Sequence, residues 1–304
     1  MGPSVLALAP AKLNLALSVG APGVDRMHPI ASWMVTVDLH DELLITRLPE
    51  ESLSRYAILW HGEARRRSDI DWSITKDLAV RAHLSLEEHV GRTLPLQLKL
   101  EKRIPIGGGL GGGSSDAAAM LHGVNALYDL GMSVDELAEI ASGLGSDVAF
   151  LVHGGSAVVE GIGERIEAHE GPPDLHVVLA FPAASCPTGP VYGAFDRSLA
   201  DPARRPDAAR VRRLVGPRLA ADACFNDLAE PALAVAPTLR DDLDELANLA
   251  ERPVHVSGSG STLFVVCDDP MHAAALADAS TTKLGLPAVA ARAIPRPAVT
   301  APRG

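Results

Sequence analysis

A glycine-rich loop between a strand-like run and a helix-like run constrains the fold of this chain most strongly. Residues 105–116 read PIGGGLGGGSSD, and six of these twelve residues are glycine. An apolar run over residues 94–100 leads into the loop, and a helix-like run over residues 117–130 follows it. A glycine backbone can approach a ligand closely, and a helix that starts there adds free N–H groups and a positive dipole end. The pattern predicts a phosphate-bearing ligand rather than a flexible linker.

Two better-known phosphate loops fit this sequence poorly. A Walker loop needs Lys directly after its last glycine, but Ser114 follows Gly113 here. The spacing Gly107-x-Gly109-x-x-Gly112 matches the dinucleotide fingerprint, which also needs a second strand ending in an acidic residue about 20 positions later. Residues 133–143 instead predict a helix capped by Ser133. We expect Ser114 and Ser115 to cap the helix after the loop, or to contact a phosphate or its metal.

Composition excludes several classes of protein. The net charge of −11 over 304 residues argues against a general nucleic-acid-binding protein, which needs a basic face. The three cysteines are widely spaced and lack the spacing of metal ligands or redox pairs, which fits a reducing compartment. No apolar run reaches the roughly 18 residues of a membrane span, and the N-terminus does not resemble a signal peptide. We therefore expect a cytoplasmic protein with no membrane or nucleic-acid partner.

Strands and helices are mixed without strict alternation, which favours an α+β fold. The predicted strands cover residues 5–8, 13–19, 34–37, 42–46, 156–159, 176–181, 254–256 and 263–266. Further helices are predicted over residues 77–89, 239–249 and 271–284. Residues 182–222 are rich in proline and are expected to bridge two lobes, and residues 295–304 are expected to be a disordered tail.

Three more motifs accompany the glycine loop in a fixed order. They are PAKLNL at residues 10–15, GLGSDV at 143–148 and VSGSGST at 256–262. Together the four motifs resemble the GHMP kinase superfamily, and within it the branch that acts on diphosphocytidyl-methylerythritol. The resemblance implies a two-lobed α+β kinase, with an N-terminal ATP-binding domain over residues 1–165, a C-terminal domain over 166–294 and the active site between the lobes. It also implies ATP-dependent phosphorylation of the 2-hydroxyl of the cytidine diphosphate-linked methylerythritol, in non-mevalonate isoprenoid biosynthesis, with Mg²⁺ as a second cofactor.

The resemblance assigns roles to particular residues. Asp147 would take the proton of the substrate hydroxyl, and Lys12 would keep Asp147 ionised and stabilise charge near the transferred group. Without the other motifs, an Asp after Gly-Ser is equally well explained as a helix cap. The expected nucleotide-binding residues are Pro105, Ile106, Gly107, Gly108, Gly109, Leu110, Gly111, Gly112, Gly113, Ser114, Ser115 and Asp77. The expected substrate-binding residues are Asn14, Met27, His28, Tyr192, Gly258 and Ser259. For Mg²⁺, Ser114, Ser115 and Asp116 all remain candidates.

Two positions depart from the family pattern. Met27 stands where an aromatic ring usually packs on the cytosine, and Asp77 stands where Asn is common near the adenine. A thioether packs on a base less rigidly than a ring, so a kinase for another small alcohol, of the homoserine or mevalonate type, remains an alternative. A non-catalytic nucleotide-binding protein on the same fold is the other alternative. The chain could act as a monomer or a homodimer.

Overall fold

Two long antiparallel strands form the centre of the molecule. The computed structural model describes residues 2–295 and 299–303. Strand β1 (Ser4–Val19) pairs with β2 (Ile30–Arg47) along its whole length. The sequence predicted each of them as two short strands. They are continuous because the pairing tolerates two register shifts, between Pro10 and Lys12 and between Asn14 and Ala16, and such irregularities bend a strand without ending it.

Six further strands complete the first sheet. They are β3 (Arg55–Trp60), β4 (Leu96–Lys102), β5 (Ser156–Gly161), β6 (Arg165–Ala168), β8 (Phe225–Asn226) and β12 (Val299–Arg303). Within the described residues the order is β12-β1-β2-β4-β3, with β5 added to β2, β6 to β5 and β8 to β1. Strand β4 alternates buried and exposed positions, so one face of it packs on the core and the other faces solvent.

Four helices cover the buried side of this sheet. They are α1 (Leu78–Val90), α2 (Gly112–Leu127), α3 (Val134–Ser142) and α4 (Val148–His153). Their apolar faces form one core with the sheet, in which Met120 and Phe150 pack with Leu98. Helix α3 begins with a capping box between Ser133 and Glu136, which confirms the helix predicted there.

The second sheet has β7 (His176–Ala180), β9 (His255–Val256), β10 (Leu263–Cys267) and β11 (Ala288–Arg292), in the order β11-β7-β10-β9. Helices α5 (Thr188–Ser198), α7 (Ala229–Val235), α8 (Thr238–Ala250) and α9 (Pro270–Lys283) share a buried core with it, whereas α6 (Ala208–Leu214) packs against β1, β2 and β5 of the first sheet. A buried cluster joins the two sheets, with Leu13 and Trp33 from the first and Leu179 and Phe264 from the second. The mixed α+β fold is confirmed, and the proline-rich segment contains α5 and α6.

The structure differs from the sequence-based expectation at two places, the border between the two lobes near residue 165 and the C-terminal segment. Residue 165 begins β6, which pairs with β5, so the change of sheet lies after Ala168. Val299–Arg303 form β12 against β1, which differs from the disordered tail expected there, because the outer edge of β1 offers unpaired backbone groups. Residues 296–298 and 304 lie outside the described residues. Among the described helices, none combines the length and the apolar character needed to cross a bilayer.

Candidate active site

The glycine loop lies directly against the turn between β9 and β10. Gly107, Gly109 and Gly111 all have positive φ values, of 69°, 76° and 68°, a conformation that glycine adopts without steric cost. A Cβ atom on Gly109 would lie 2.1 Å from the backbone oxygen of Ser257. Ser257 Oγ donates to the Gly109 carbonyl, and the Thr262 N–H donates to the Gly108 carbonyl. Two of the sequence motifs are thus joined, and the loop is held by the second lobe.

Helix α2 begins earlier than predicted, and its serines do not cap it. Gly111 occupies the N-cap position without any side-chain cap. The helix starts at Gly112 because the loop reverses direction at Gly111. Ser115 therefore lies in the first turn, where its hydroxyl donates to the Pro10 carbonyl and only 1% of the residue is exposed. The Ser115 hydroxyl is thus bound to the protein itself, and its contact with a phosphate or metal stays a prediction, whereas Ser114 lines the cleft and its hydroxyl has no partner among the described residues.

Lys12 and Asp147 meet beside the loop. Lys12 Nζ donates to Asn14 Oδ1 at 2.6 Å and lies 3.4 Å from Asp147 Oδ2. Asn14 Nδ2 in turn donates to the Ser32 hydroxyl at 2.8 Å. Only 5% of the Lys12 side chain is exposed, and a buried ammonium is costly unless it is paired and hydrogen-bonded. The network therefore holds the ammonium in one position, between the loop and Asp147.

Asp147 precedes α4 but does not cap it. Its side chain makes no hydrogen bond to the helix backbone, although a cap was the alternative explanation for this residue. A quarter of the side chain is exposed to the cleft. The carboxylate is therefore paired only with Lys12 among the described residues and remains open to a ligand.

A buried ionic cluster lies under the first turn of α2, and the sequence analysis missed it. Lys102 Nζ donates to Asp41 Oδ2 at 2.6 Å and to Asp116 Oδ2 at 2.5 Å. Asp41 Oδ1 also accepts from the N–H groups of Arg103 and Ile104. Asp116 Oδ1 has no hydrogen-bond partner within the described part of the chain. The cluster ties the end of β4 to α2, which are the two ends of the glycine loop.

Burial and the neighbouring charges shift the pKa values of Asp116 and Lys102 in this cluster. Burial raises the pKa of the Asp116 carboxyl well above its usual range; Lys102 opposes this shift, and the charge of Asp41 adds to it. Burial also opposes the charge on Lys102, but Asp116 and Asp41 outweigh it and hold the pKa of Lys102 above its ordinary value. Two carboxyl groups share one ammonium, and burial makes the Asp116 carboxyl easier to protonate than an exposed one.

The rings of His28 and Tyr192 pack on each other in the wall of the cleft, and Met27 also lines the cleft. The His28 and Tyr192 rings are 4.7 Å apart with an interplanar angle of 45°. Burial raises the pKa of Tyr192 to about 12, and the charge of Asp147 adds to this shift, so the phenol stays neutral. His28 Nε2 lies 2.7 Å from Asp196 Oδ1, a partner that the sequence analysis did not identify. Met27 is 47% exposed.

The remaining predicted residues, Asp77, Gly258 and Ser259, lie in the wall of the cleft. Asp77 Oδ1 accepts from the N–H groups of Ala79 and Val80 at the start of α1, and Asp77 Oδ2 accepts from the Trp72 indole. Both carboxylate oxygens of Asp77 are thus occupied by the protein itself. Ser259 Oγ lies 3.3 Å from Thr188 Oγ1, and the Gly258 carbonyl accepts from Asn226.

One cleft of about 1240 Å³ brings these groups together. The predicted residues that line it are Lys12, Asn14, Met27, His28, Asp77, Pro105, Ile106, Gly107, Gly108, Gly109, Leu110, Gly111, Gly112, Gly113, Ser114, Asp147, Tyr192, Gly258 and Ser259. Ser115 is absent from its walls. Lys102, Asp116, Trp72 and Asp196 also line the cleft, and the local sequence pattern did not predict that they meet there.

Comparison with known proteins shows what this chain is similar to. A family model described as GHMP kinases N terminal domain matches residues 77–155, from the cap of α1 to the end of α4. The 4-diphosphocytidyl-2-C-methyl-D-erythritol kinase of Exiguobacterium sibiricum is 35% identical over 270 residues, which cover 87% of this chain and 90% of that protein. The enzyme of the same name from Bacillus cereus is 36% identical over 273 residues, covering 88% of this chain and 90% of the relative.

Solved structures show the same similarity. A crystal structure of 4-(cytidine 5'-diphospho)-2C-methyl-D-erythritol kinase superposes with a TM-score of 0.72 and 31% identity, over 95% of this chain and 98% of the other. A homoserine kinase from Cytophaga hutchinsonii superposes with the same TM-score at 18% identity, over 99% and 98% of the two chains. The second similarity concerns the fold alone.

Proposed function

The chain belongs to the family of 4-diphosphocytidyl-2-C-methyl-D-erythritol kinases, and on this premise we propose how its cleft transfers the terminal phosphoryl group of ATP to the 2-hydroxyl of that substrate. The protein is an ATP-dependent small-molecule kinase with the GHMP fold. The reaction forms a P–O bond at the hydroxyl and breaks the bond to the leaving ADP oxygen. The observation that carries the proposal is the 3.4 Å separation of Lys12 Nζ and Asp147 Oδ2 beside the glycine loop.

The loop and the first turn of α2 hold the nucleotide phosphates. The first intrahelical bond of α2 runs from the Ser115 N–H to the Gly111 carbonyl, so the N–H groups of Gly112, Gly113 and Ser114 have no partner inside the helix. These donors and the helix dipole attract an anion. The positive φ values of the loop glycines let the backbone reach the phosphates without a Cβ in the way.

Asp147 and Lys12 carry the proton and charge chemistry. As the substrate oxygen attacks the terminal phosphorus, its proton moves to the Asp147 carboxylate. The Lys12 ammonium lies beside the Asp147 carboxylate and stabilises the negative charge that spreads over the phosphoryl oxygens during the transfer. Asn14 keeps the ammonium from turning away, because it accepts one of its hydrogens at 2.6 Å.

The site offers Mg²⁺ few protein ligands, so most of its ligands would come from the nucleotide and water. Among the described residues there is no group of three or more His, Cys, Asp or Glu side chains that could hold a metal, which suits Mg²⁺ because it usually binds through phosphates, waters and few protein groups. Of the candidates, the Ser115 hydroxyl donates to Pro10 and Asp116 Oδ2 accepts from Lys102, which leaves the Ser114 hydroxyl and the unpaired Oδ1 of Asp116 to hold the ion. The ion would neutralise charge on the nucleotide phosphates.

The substrate's cytosine is proposed to lie at His28 and Tyr192, with Met27 in the position of the second ring. Gly258 lies beside Lys12, since a Cβ on Gly258 would be 3.3 Å from Lys12 Nζ, and Ser259 Oγ lies 3.3 Å from Thr188 Oγ1 on α5, the helix that carries Tyr192. We assign the protein to the cytoplasm, a proposal supported by three free cysteines that are all buried. A monomer or a homodimer both remain compatible with this function.

A coupled ADP assay with the purified protein tests the function. We expect ADP release that depends on the diphosphocytidyl substrate, with a phosphorylated product of the matching mass. Homoserine and mevalonate should give no signal; ADP release with one of them, and none with the cytidyl substrate, would overturn the assignment. Asp147→Asn should abolish turnover while the thermal unfolding midpoint stays near that of the unaltered protein. Near-normal turnover of this variant would contradict the role of Asp147.

A further inference from the structure

His28 and Asp196 connect the two walls of the cleft. His28 lies in the connection between β1 and β2, whereas Asp196 lies on α5 of the other lobe. The distance from His28 Nε2 to Asp196 Oδ1 is 2.7 Å, within the range of a strong hydrogen bond. Only 9% of the His28 side chain is exposed, so water offers its ring few alternative partners.

This contact decides which ring nitrogen of a neutral His28 carries the hydrogen. An ionised carboxylate can only accept hydrogen bonds, so Nε2 must be the donor. In a neutral imidazole the other nitrogen, Nδ1, then has a free lone pair and acts as an acceptor. No hydrogen bond to Nδ1 exists within residues 2–295 and 299–303. The ring therefore offers one acceptor to a ligand in the cleft, whose wall it forms.

Helix α5 also holds the plane of the ring. Tyr192 and Asp196 are four residues apart and therefore lie on one face of the helix. The Tyr192 ring packs on the imidazole at 4.7 Å, and Phe195 approaches its edge at 6.1 Å with an angle of 72°. Tyr192, Phe195 and Asp196 of α5 thus fix the orientation of the His28 ring, and Asp196 also keeps the hydrogen on Nε2.

We propose that Asp196 is a positioning residue, which holds His28 as the Nε2–H tautomer and thereby selects cytosine over uracil. The amine at position 4 of cytosine can donate to Nδ1, whereas the carbonyl at position 4 of uracil places a lone pair opposite another lone pair. A site built to hydrogen-bond one group discriminates strongly against a ligand that leaves its polar atoms unpaired. This inference rests on the proposed function, which places the pyrimidine at His28.

Calorimetric binding of CDP and UDP tests the selection directly. The unaltered protein should prefer CDP, and Asp196→Ala should weaken CDP binding about tenfold while UDP affinity changes little. Asp196→Asn should keep most of the preference, because its amide oxygen can still accept from Nε2–H. Asp174→Ala is the charge-matched control, since Asp174 is exposed and remote from the cleft. An unchanged ratio of CDP to UDP affinity in Asp196→Ala overturns the proposal.

The tautomer can be measured without any substrate. Nitrogen-15 NMR of the histidine rings at pH 7.5, with His28 assigned through a His28→Gln spectrum, should show a neutral ring protonated at Nε2. Asp196→Ala should give a mixture of the two tautomers. A cationic ring, or one protonated at Nδ1, in the unaltered protein contradicts the inference. If phosphoryl transfer to the cytidyl substrate fails, the proposed function fails, but the tautomer and the CDP to UDP ratio still decide the role of Asp196.

Discussion

Gly111 lies directly against the side chain of Lys12. A Cβ atom on Gly111 would be 3.0 Å from Cγ of Lys12 and 3.3 Å from Cε, and the φ of Gly111 is 68°. The Lys12 N–H also donates to the carbonyl of Leu110, the preceding loop residue. The loop that is proposed to hold the nucleotide therefore also fixes the direction in which the Lys12 side chain extends toward Asp147. A substitution in the loop should accordingly displace Lys12.

Gly111→Ala should reduce kcat/KM by about 10- to 100-fold, because small displacements of reacting groups have effects of this size. The added methyl group pushes Lys12 away from Asp147 and strains a left-handed backbone position. Gly91→Ala is the matched control: Gly91 has the same φ of 68° at the end of α1, but nothing lies within 4 Å of its Cβ position. Both variants should lose stability by about 1 kcal/mol, and steady-state kinetics should show an activity loss only for Gly111→Ala. Equal kinetics for the two would show that the lysine contact has no catalytic consequence.

Lys12→Met should lower kcat by about 100- to 1000-fold, since it removes one charged donor at the transferring group. The effect on KM for ATP should be smaller, because the backbone N–H groups of the loop remain. Initial rates over a range of ATP concentrations separate the two parameters. Lys99→Met serves as control, because Lys99 is an exposed lysine that pairs with Glu101 on β4. A change confined to KM would mean that Lys12 acts in nucleotide binding alone.

Lys102→Met should destabilise the protein by about 3–5 kcal/mol, the cost of leaving buried carboxyl groups without their cation. Urea unfolding measures this loss. The double variant Lys102→Met, Asp116→Asn should recover part of it, because one of the two carboxyl groups has then been removed as well. Strict additivity of the two single changes would indicate that the 2.5 Å contact between Lys102 and Asp116 contributes no coupling energy.

The raised pKa of Asp116 predicts that the stability of the folded protein depends on pH. An unfolded Asp loses its proton near pH 3.9, whereas burial in the folded protein keeps the proton on Asp116 to a higher pH. The folded state therefore binds more protons above pH 4, and stability falls as pH rises through the folded pKa, by at most about 1.4 kcal/mol per pH unit. The contribution of Asp116 is fully present only below the unfolded pKa.

Asp116→Asn mimics the neutral acid and should remove this dependence. Its free energy of unfolding, measured in urea from pH 5 to pH 8, should rise relative to that of the unaltered protein as pH increases. Asp174→Asn, at an exposed position, should follow the unaltered protein across the range. A constant difference between Asp116→Asn and the unaltered protein would show that Asp116 is already ionised at pH 5.

Met27→Phe should tighten CDP binding about two- to tenfold, since aromatic contacts contribute about 0.5–1.5 kcal/mol beyond the area they bury. Met27 is 47% exposed and lines the cleft, so a ring can be placed there without displacing core side chains. Val24→Phe adds the same ring to the same connection outside the cleft and should leave CDP binding unchanged in calorimetry. A weaker affinity for Met27→Phe would place the base elsewhere.

Local signals in the sequence were enough to predict the glycine loop, the helix after it and the class of fold. The capping box of Ser133 and Glu136 and the glycine run depend on residues within a few positions of each other. Both can therefore be predicted from the local sequence alone. The cap role expected for Ser114 and Ser115 failed because α2 already begins at Gly112, with Gly111 in a left-handed conformation at the N-cap position, so both serines lie inside the first turn.

The sequence by itself therefore determined the fold class, the glycine-rich loop and the family to which the chain belongs. Only the tertiary structure decided which charges meet: Lys102 with Asp41 and Asp116, and His28 with Asp196, which is 168 positions away. A side chain's partner across such separations depends on how sheets and helices pack, and packing is a property of the whole chain rather than of any window in it. Burial follows from the same packing, and it sets the protonation of Asp116.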